Sequence, residues 1–426
     1  MTDRYGLELT SNSPAAVAHY ITGLDHALAG NAPAESFFER AAAADPGFAL
    51  AHIGQAAMLQ FRGRRAESIG AIAQARALAP RVTRRERQHI EMLATMLDGD
   101  AARALQLVHE HLKEFPRDAL VLAQVAGAFG LISFSGQPDF NEQRLALMDS
   151  LAPSYGDDWW FLGMHSFSLI ELHHFEPARR KGERALVLNP GFGHGAHSVA
   201  HVHYELGDTA AGIAFLETFL ATYEPPNRVF GHLYWHLALS NLAIGNMPRA
   251  VEIYDHWLCP ARTTSPALAK LADAASLLWR FDLLGLTPAR SEWEAVSAYA
   301  GEAFAQPPND FAALHCLLAG AAVGDEARLN RLMDGFRARG ADWMMTLCEA
   351  LKASVAGEHA RTARLLESIA GECVRLGGSR AQRDVVEETL LESYFRAGEA
   401  DRAKALLDAR HQHGPLGRYR LKSNAP

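Results

Sequence analysis

The sequence predicts an all-α chain, a right-handed α-solenoid or superhelix of helix-turn-helix pairs. Three features predict it: prolines at near-constant spacing, apolar residues at helical period between them, and no run with the strict alternation of a half-buried strand. Pro46, Pro80, Pro116, Pro153, Pro190, Pro225 and Pro260 stand 34, 36, 37, 37, 35 and 35 residues apart, the length of one two-helix repeat. Proline suits such a joint because it cannot continue the helix it follows. Between joints, Leu162, Phe167, Leu169 and Ile170, then Ala178, Ala185 and Leu186, recur at helical intervals. Gly207-Asp208 and Gly245-Asn246 divide their repeats into halves.

Length and composition agree with a repeat array. At 426 residues the chain exceeds what one central core usually serves, whereas a stack of pairs grows without one. Hydrophobic residues at 49% and charged residues at 21% leave no room for a long disordered segment. The net charge of -8, with Lys and Arg scattered, argues against a nucleic-acid surface. No basic stretch followed by an apolar core opens the chain, so no secretory leader is expected. The longest apolar stretches, such as Phe129 to Ile132, fall far short of the ~20 residues of a membrane span. Cys259, Cys316, Cys348 and Cys373 form no close pair, so neither a disulfide framework nor a thiolate zinc site is expected. A reducing cytoplasm fits this cysteine usage.

The repeats can be followed in order. Ala34, Phe38, Ala41 and Pro46 occupy the small, aromatic, small and proline positions of a pattern similar to the tetratricopeptide repeat, and Ala178, Gly182, Ala185 and Pro190 repeat the spacing. Arg40 to Phe48 (RAAAADPGF) and Arg184 to Phe192 (RALVLNPGF) each end one helix and open the next. One interruption, Phe134-Ser135-Gly136-Gln137-Pro138, is a loop where a tight turn was due. After Pro260 the period loosens: Ser265 to Phe304, with a longer turn at Gly285-Leu286-Thr287-Pro288, then Asn309 to Arg339, Ala341 to Leu376 and Ser379 to His413. The expected organisation is one helical-repeat domain over 1–426, with N-terminal repeats 1–153, central repeats 154–304 carrying the site, C-terminal repeats 305–413 and a tail 414–426.

Nine of the 20 histidines fall between His165 and His236. His194, His197 and His201 follow i, i+3, i+7 and so share one side of a helix, with Glu205 a turn further on. His232 and His236, four apart, share a side in the next repeat. Trp160, Met164, Phe167 and Glu171 trace the corresponding stripe one repeat earlier. In tetratricopeptide repeats the first helix of each pair lines the concave surface, so these stripes are expected to form one wall, with Trp235 in it. Two HxxxH pairs also have the spacing by which helices present imidazoles to a metal. Against this, a single histidine is commonly a satisfied core residue, the reading that suits His173, His174 and His203. Asp273, Ser276 and Arg280 share another side; Asp273 and Arg280 are too far apart for the i,i+4 surface pair, so each must find a partner on another helix or in a ligand. Asn309, Asp310 and His315 begin a later pair and can face the same hollow. Asp255 lies on a second helix, where a structural role is expected.

Taken in order, HSVAHV (His197 to Val202) with Glu205-Leu206-Gly207, HLYWHLAL (His232 to Leu239), Ile253-Tyr254-Asp255, DAASLLWR (Asp273 to Arg280) and Asn309-Asp310 with His315 resemble the tetratricopeptide repeat protein 38 family over nearly the whole chain. The resemblance implies a superhelix of helix pairs and suggests that the His, Asp and Arg strings belong to one shared site. It supplies no catalytic residues to carry over.

Two functions compete. In one, the concave surface binds a small polar or anionic molecule, with hydrolytic or lyase chemistry: His201 or His236 as base, Asp273 orienting an imidazole, and Trp160, His194, His197, His232, Trp235, Arg280, Asn309, Asp310 and His315 holding substrate. That reading needs no cofactor; its alternative places a divalent metal such as Zn on His197, His201, His232 and His236. In the other, the groove is a non-catalytic scaffold for a peptide or protein partner. The sequence leaves a homodimer open.

Overall fold

The structure is a computed structural model that describes residues 1–409; the predicted tail and the end of the last predicted repeat lie outside the described residues. Among the described residues the chain is helical from end to end, its one β feature an isolated bridge between Thr2 and Glu8. The helices are α1 (Pro14–Ala29), α2 (Ala34–Ala44), α3 (Ala49–Phe61), α4 (Arg65–Leu78), α5 (Arg84–Leu97), α6 (Ala101–Glu114), α7 (Ala119–Ala126), α8 (Phe140–Tyr155), α9 (Trp159–Ile170), α10 (Phe175–Leu188) and α11 (Gly193–Leu206). There follow α12 (Thr209–Leu220), α13 (Phe230–Ile244), α14 (Met247–Ile253), α15 (Ala267–Leu283), α16 (Arg290–Ala303), α17 (Asp310–Val323), α18 (Glu326–Ala338), α19 (Asp342–Val355), α20 (His359–Ser368), α21 (Arg380–Arg396) and α22 (Ala400–Ala409). No described helix is long and apolar enough to cross a membrane.

Local chemistry sets many of these boundaries. Ser13 caps α1 by accepting from Ala16 N, Pro14 opens the helix, and Gly30 closes it in the left-handed region. Thr83 with Glu86, and Ser379 with Gln382, form reciprocal capping boxes on α5 and α21. The joints expected at Gly207-Asp208, Gly245-Asn246 and Gly285 to Pro288 all lie between helices. One joint is corrected: Pro153 lies inside α8, which runs on to Tyr155, and the break comes at Gly156, where φ is 58°. A proline there removes one hydrogen bond near the helix end; Asp158, accepting from Phe161 N, caps the next helix.

The chain forms two compact units. The first comprises Met1–Ser135, Asp139–Val199 and Tyr223–Val229. Its helices pack mainly on sequence neighbours, α1 on α2, α3 on α4, α9 on α10, as a solenoid requires. The approach is close enough that a Cβ on Gly54 would stand 2.5 Å from the Phe38 ring, which explains the small residue opposite the aromatic one. The segment Tyr223–Val229 departs from nearest-neighbour packing. Arg228 N donates to Gly30 O at 2.7 Å and Asn227 Oδ1 accepts from Ala32 N at 2.9 Å.

The second unit comprises Gly136–Pro138, Ala200–Thr222 and Phe230–Pro426. Here too pairs stack, α12 on α13, α16 on α17, α19 on α20, but α21 also returns to pack on α15. That return builds the polar core described next.

Candidate functional site

Helix α13 is buried almost all round, so its polar side chains must find complements inside the fold. His232 and His236 stand one turn apart on it, and α11 brings His201 alongside. The His201 and His236 rings meet edge to face with centroids 4.4 Å apart, and His232 and His236 do so at 4.9 Å. Behind His232, its Nδ1 lies 2.8 Å from Asp273 Oδ1. A carboxylate accepts, so Nδ1 is the donor here, and Nε2 is the ring atom of His232 that is open to ligation. The other carboxylate oxygen, Asp273 Oδ2, is buried and has no hydrogen-bond partner.

His201, His232 and His236 are all buried, and one ring nitrogen of each lies within 4.8 Å of the others. Burial pushes His236 well below the usual imidazole pKa, and His201, His232 and Arg280 add to the effect. It is therefore neutral, the form that ligates metals.

Around this cluster the side chains of α15 are engaged one by one. Trp235 stacks on His232, with centroids 5.1 Å apart, and donates from Nε1 to Ser276 Oγ at 3.1 Å. Arg280 lies 5.5 Å from the centre of the Trp235 ring. Its Nε donates to Glu388 Oε2 at 2.6 Å and its Nη2 to Ala381 O at 3.0 Å, so the guanidinium is tied to α21.

Other residues stand elsewhere. Asn309 Oδ1 caps α17 by accepting from Ala312 N at 2.8 Å, and Asp310 forms an ion pair with Arg339. His315 is fully buried. Its Nδ1 donates to Phe311 O at 2.8 Å, and burial first, then Arg280, against the carbonyl's opposite pull, brings its pKa to about 4. In the first unit, Trp160 packs beside Tyr155 at 6.1 Å, His194 beside Phe192 at 6.2 Å, and His197 stacks on Phe167 at 5.7 Å.

Sequence reasoning placed a helix pair from Ser379 but missed the part α21 plays in this polar core. Its Glu388 holds Arg280, Thr389 accepts from Trp279 Nε1 at 2.9 Å, Asp384 accepts from Tyr204 Oη at 2.8 Å, and Arg380 lies 3.8 Å from Glu205. Residues 380, 384 and 388 share one side of the helix, a row that reads from sequence as a solvated face. The available signal was on the other partner: Arg280 had no local carboxylate.

The fold and the paired helices define a tetratricopeptide-like helical-repeat protein. No family model matches the chain. Among solved structures it is similar to the TPR domain of P58(IPK), with 13% identity and a TM-score of 0.24 over 91% of this chain and 90% of that one. It is also similar to a chain of Naa15/Naa10 bound to HypK-THB, with 12% identity and a TM-score of 0.23 over 95% of this chain and 64% of that one. The fold assignment rests on the helix pairs themselves.

Proposed function

We propose that the buried histidine cluster holds a divalent transition metal of the zinc class, and that the chain uses it to bind and turn over a small polar molecule by hydrolytic or lyase chemistry. One observation carries this: three buried imidazoles of the second unit, those of His201, His232 and His236, present ring nitrogens within 4.8 Å of one another. A catalytic zinc ion takes three protein ligands at Zn–N distances of about 2.0–2.1 Å and keeps a fourth position open. Imidazole-only donors suit zinc, nickel or copper, whereas calcium and magnesium require oxygen ligands.

The surroundings support the same reading. Asp273 stands behind His232 as a carboxylate does behind a metal-bound imidazole, fixing its tautomer and raising its basicity. His201, His232 and His236 would hold the ion; when bound, it would polarise a carbonyl or phosphoryl group and acidify a coordinated water. Arg280, engaged by Glu388, serves in this reading to support α15 and Trp235. The resemblance to the tetratricopeptide repeat protein 38 family belongs to this proposal, because its quoted strings include these three histidines and Asp273.

The test is metal analysis of protein purified without a polyhistidine tag, beside a His201→Ala, His236→Ala double variant. A stoichiometric ion in the parent, lost in the variant, is expected, with a zinc-induced rise in Tm confined to the parent. If no metal co-purifies and neither zinc nor manganese, cobalt or nickel shifts Tm, the metal reading fails. Peptide ligands that bind parent and double variant alike would then favour the scaffold.

A further inference from the structure

The first unit holds an arginine whose surroundings differ from those of its other paired arginines. Arg4 pairs with Asp25 and Asp158, Arg85 with Asp118, and Arg62 and Arg64 share Glu35. Among the described residues, Arg228 has no carboxylate within 4.0 Å, and none of its side-chain nitrogens makes a hydrogen bond. Instead its guanidinium carbon stands 3.5 Å from the centre of the Phe61 ring.

Its position is built. The Arg228 backbone N–H and the Asn227 side chain tie this segment to the turn after α1 by the two hydrogen bonds to Gly30 and Ala32. Gly30, in the left-handed region at φ 75°, has Arg228 Cβ and His194 Nε2 each 3.4 Å from where its own Cβ would be, so a side chain there would touch both, and the positive φ itself would strain it. Burial lowers the Arg228 pKa to about 10, with Tyr223 opposing it. A guanidinium offers five N–H donors in a planar fork that matches an oxyanion. An aromatic face beneath it restrains the plane without using any of those donors.

We propose that Arg228, braced on Phe61 with His194 close by, is a binding site for an oxyanion, the phosphate or carboxylate group of a small ligand. The anion meets the edge of the guanidinium while Phe61 covers its face. The site lies wholly within the first unit and does not depend on the metal proposal.

The test is calorimetric titration of the full chain with inorganic phosphate and, separately, with acetate, at ionic strength held constant with chloride. Saturable binding of at least one is expected, and which one binds names the group. Arg228→Gln should weaken it by about tenfold or more. Phe61→Leu should weaken it several-fold, and the His201→Ala, His236→Ala variant should leave it unchanged. Phenylglyoxal labelling of the unmutated chain gives a second reading: the binding anion should slow modification of Arg228 several-fold and leave exposed Arg103 unaffected. No saturable binding of either anion, equal binding by Arg228→Gln, or equal labelling of Arg228 with and without anion would overturn the proposal. So would binding that disappears only in the histidine variant, which would put the anion at the metal.

Discussion

Each unit buries a knot of histidine, carboxylate and arginine, and the two are wired in opposite senses. In the first unit the centre is an anion. Asp118 Oδ2 lies 2.8 Å from Arg85 Nη1, 3.2 Å from His111 Nε2 and 3.8 Å from His89 Nδ1. Burial pushes the Asp118 carboxyl upward, but His89, the His111 hydrogen bond and Arg85 together hold it well below the usual range. In the second unit the centre is a ring of imidazoles, with Asp273 behind one of them and Glu388 occupied by Arg280. Imidazoles gathered around a carboxylate complete a structural network. Imidazoles gathered around one another, with the carboxylate outside, form a pattern that a cation complements. Histidine enrichment alone does not separate the two cases; the position of the carboxylate does.

The largest expected effects follow from stranding a charge. Asp118→Asn in the first unit and Glu388→Gln in the second each leave a buried guanidinium without its anion, a change that costs about 3–5 kcal/mol. Hydrogen exchange of peptides from α5–α7 and from α15 with α21 reads each loss in its own unit. A cost below about 1 kcal/mol for Asp118→Asn would mean that the first knot is not the closed network described.

Asp273→Asn should act on metal instead. Loss of the carboxylate behind a ligand typically lowers metal affinity by about 10–100-fold; chelator competition measures it. Asp118→Asn should leave that affinity unchanged, and equal effects from the two substitutions would erase the contrast between the knots.

A pH series separates buried neutral imidazoles from ordinary ones. Burial, opposed by Asp118 and reinforced by His111 and Arg85, brings His89 to about 4, and His315 also lies at about 4. The unfolded chain binds the proton near pH 6.5, so each contribution to stability is complete above that pH. It falls by about 1.4 kcal/mol per pH unit per histidine as pH drops from 6.5 toward 4. Urea midpoints across this range should show the slope, and His89→Gln should remove its share. The smallest effect is expected at the surface, where Arg180→Ala breaks an exposed pair with Glu176 and should change stability by under about 0.5 kcal/mol.

The helix pairs were legible because their signals are local. Glycine at Gly207, Gly245 and Gly285, and Asn309 before α17, mark boundaries through φ angles and caps that involve only near neighbours. Pro153 misled for the same reason: a proline near a helix end and a proline in a joint look alike over a few residues. The candidate site was half legible. Helical period put Asp273, Ser276 and Arg280 on one side of α15, and these meet His232, Trp235 and Glu388. The period says nothing of Glu388 itself, 108 residues away.

What the sequence alone determined, then, is the all-helical repeat and the grouping of residues by helix side, since both follow from 3.6 residues per turn and from the backbone limits of proline and glycine. Tertiary structure alone decided which sides meet. Desolvation and ion pairing act through space, and the return of α21 onto α15, like the pinning of Arg228 beside Gly30, joins residues that no local rule connects.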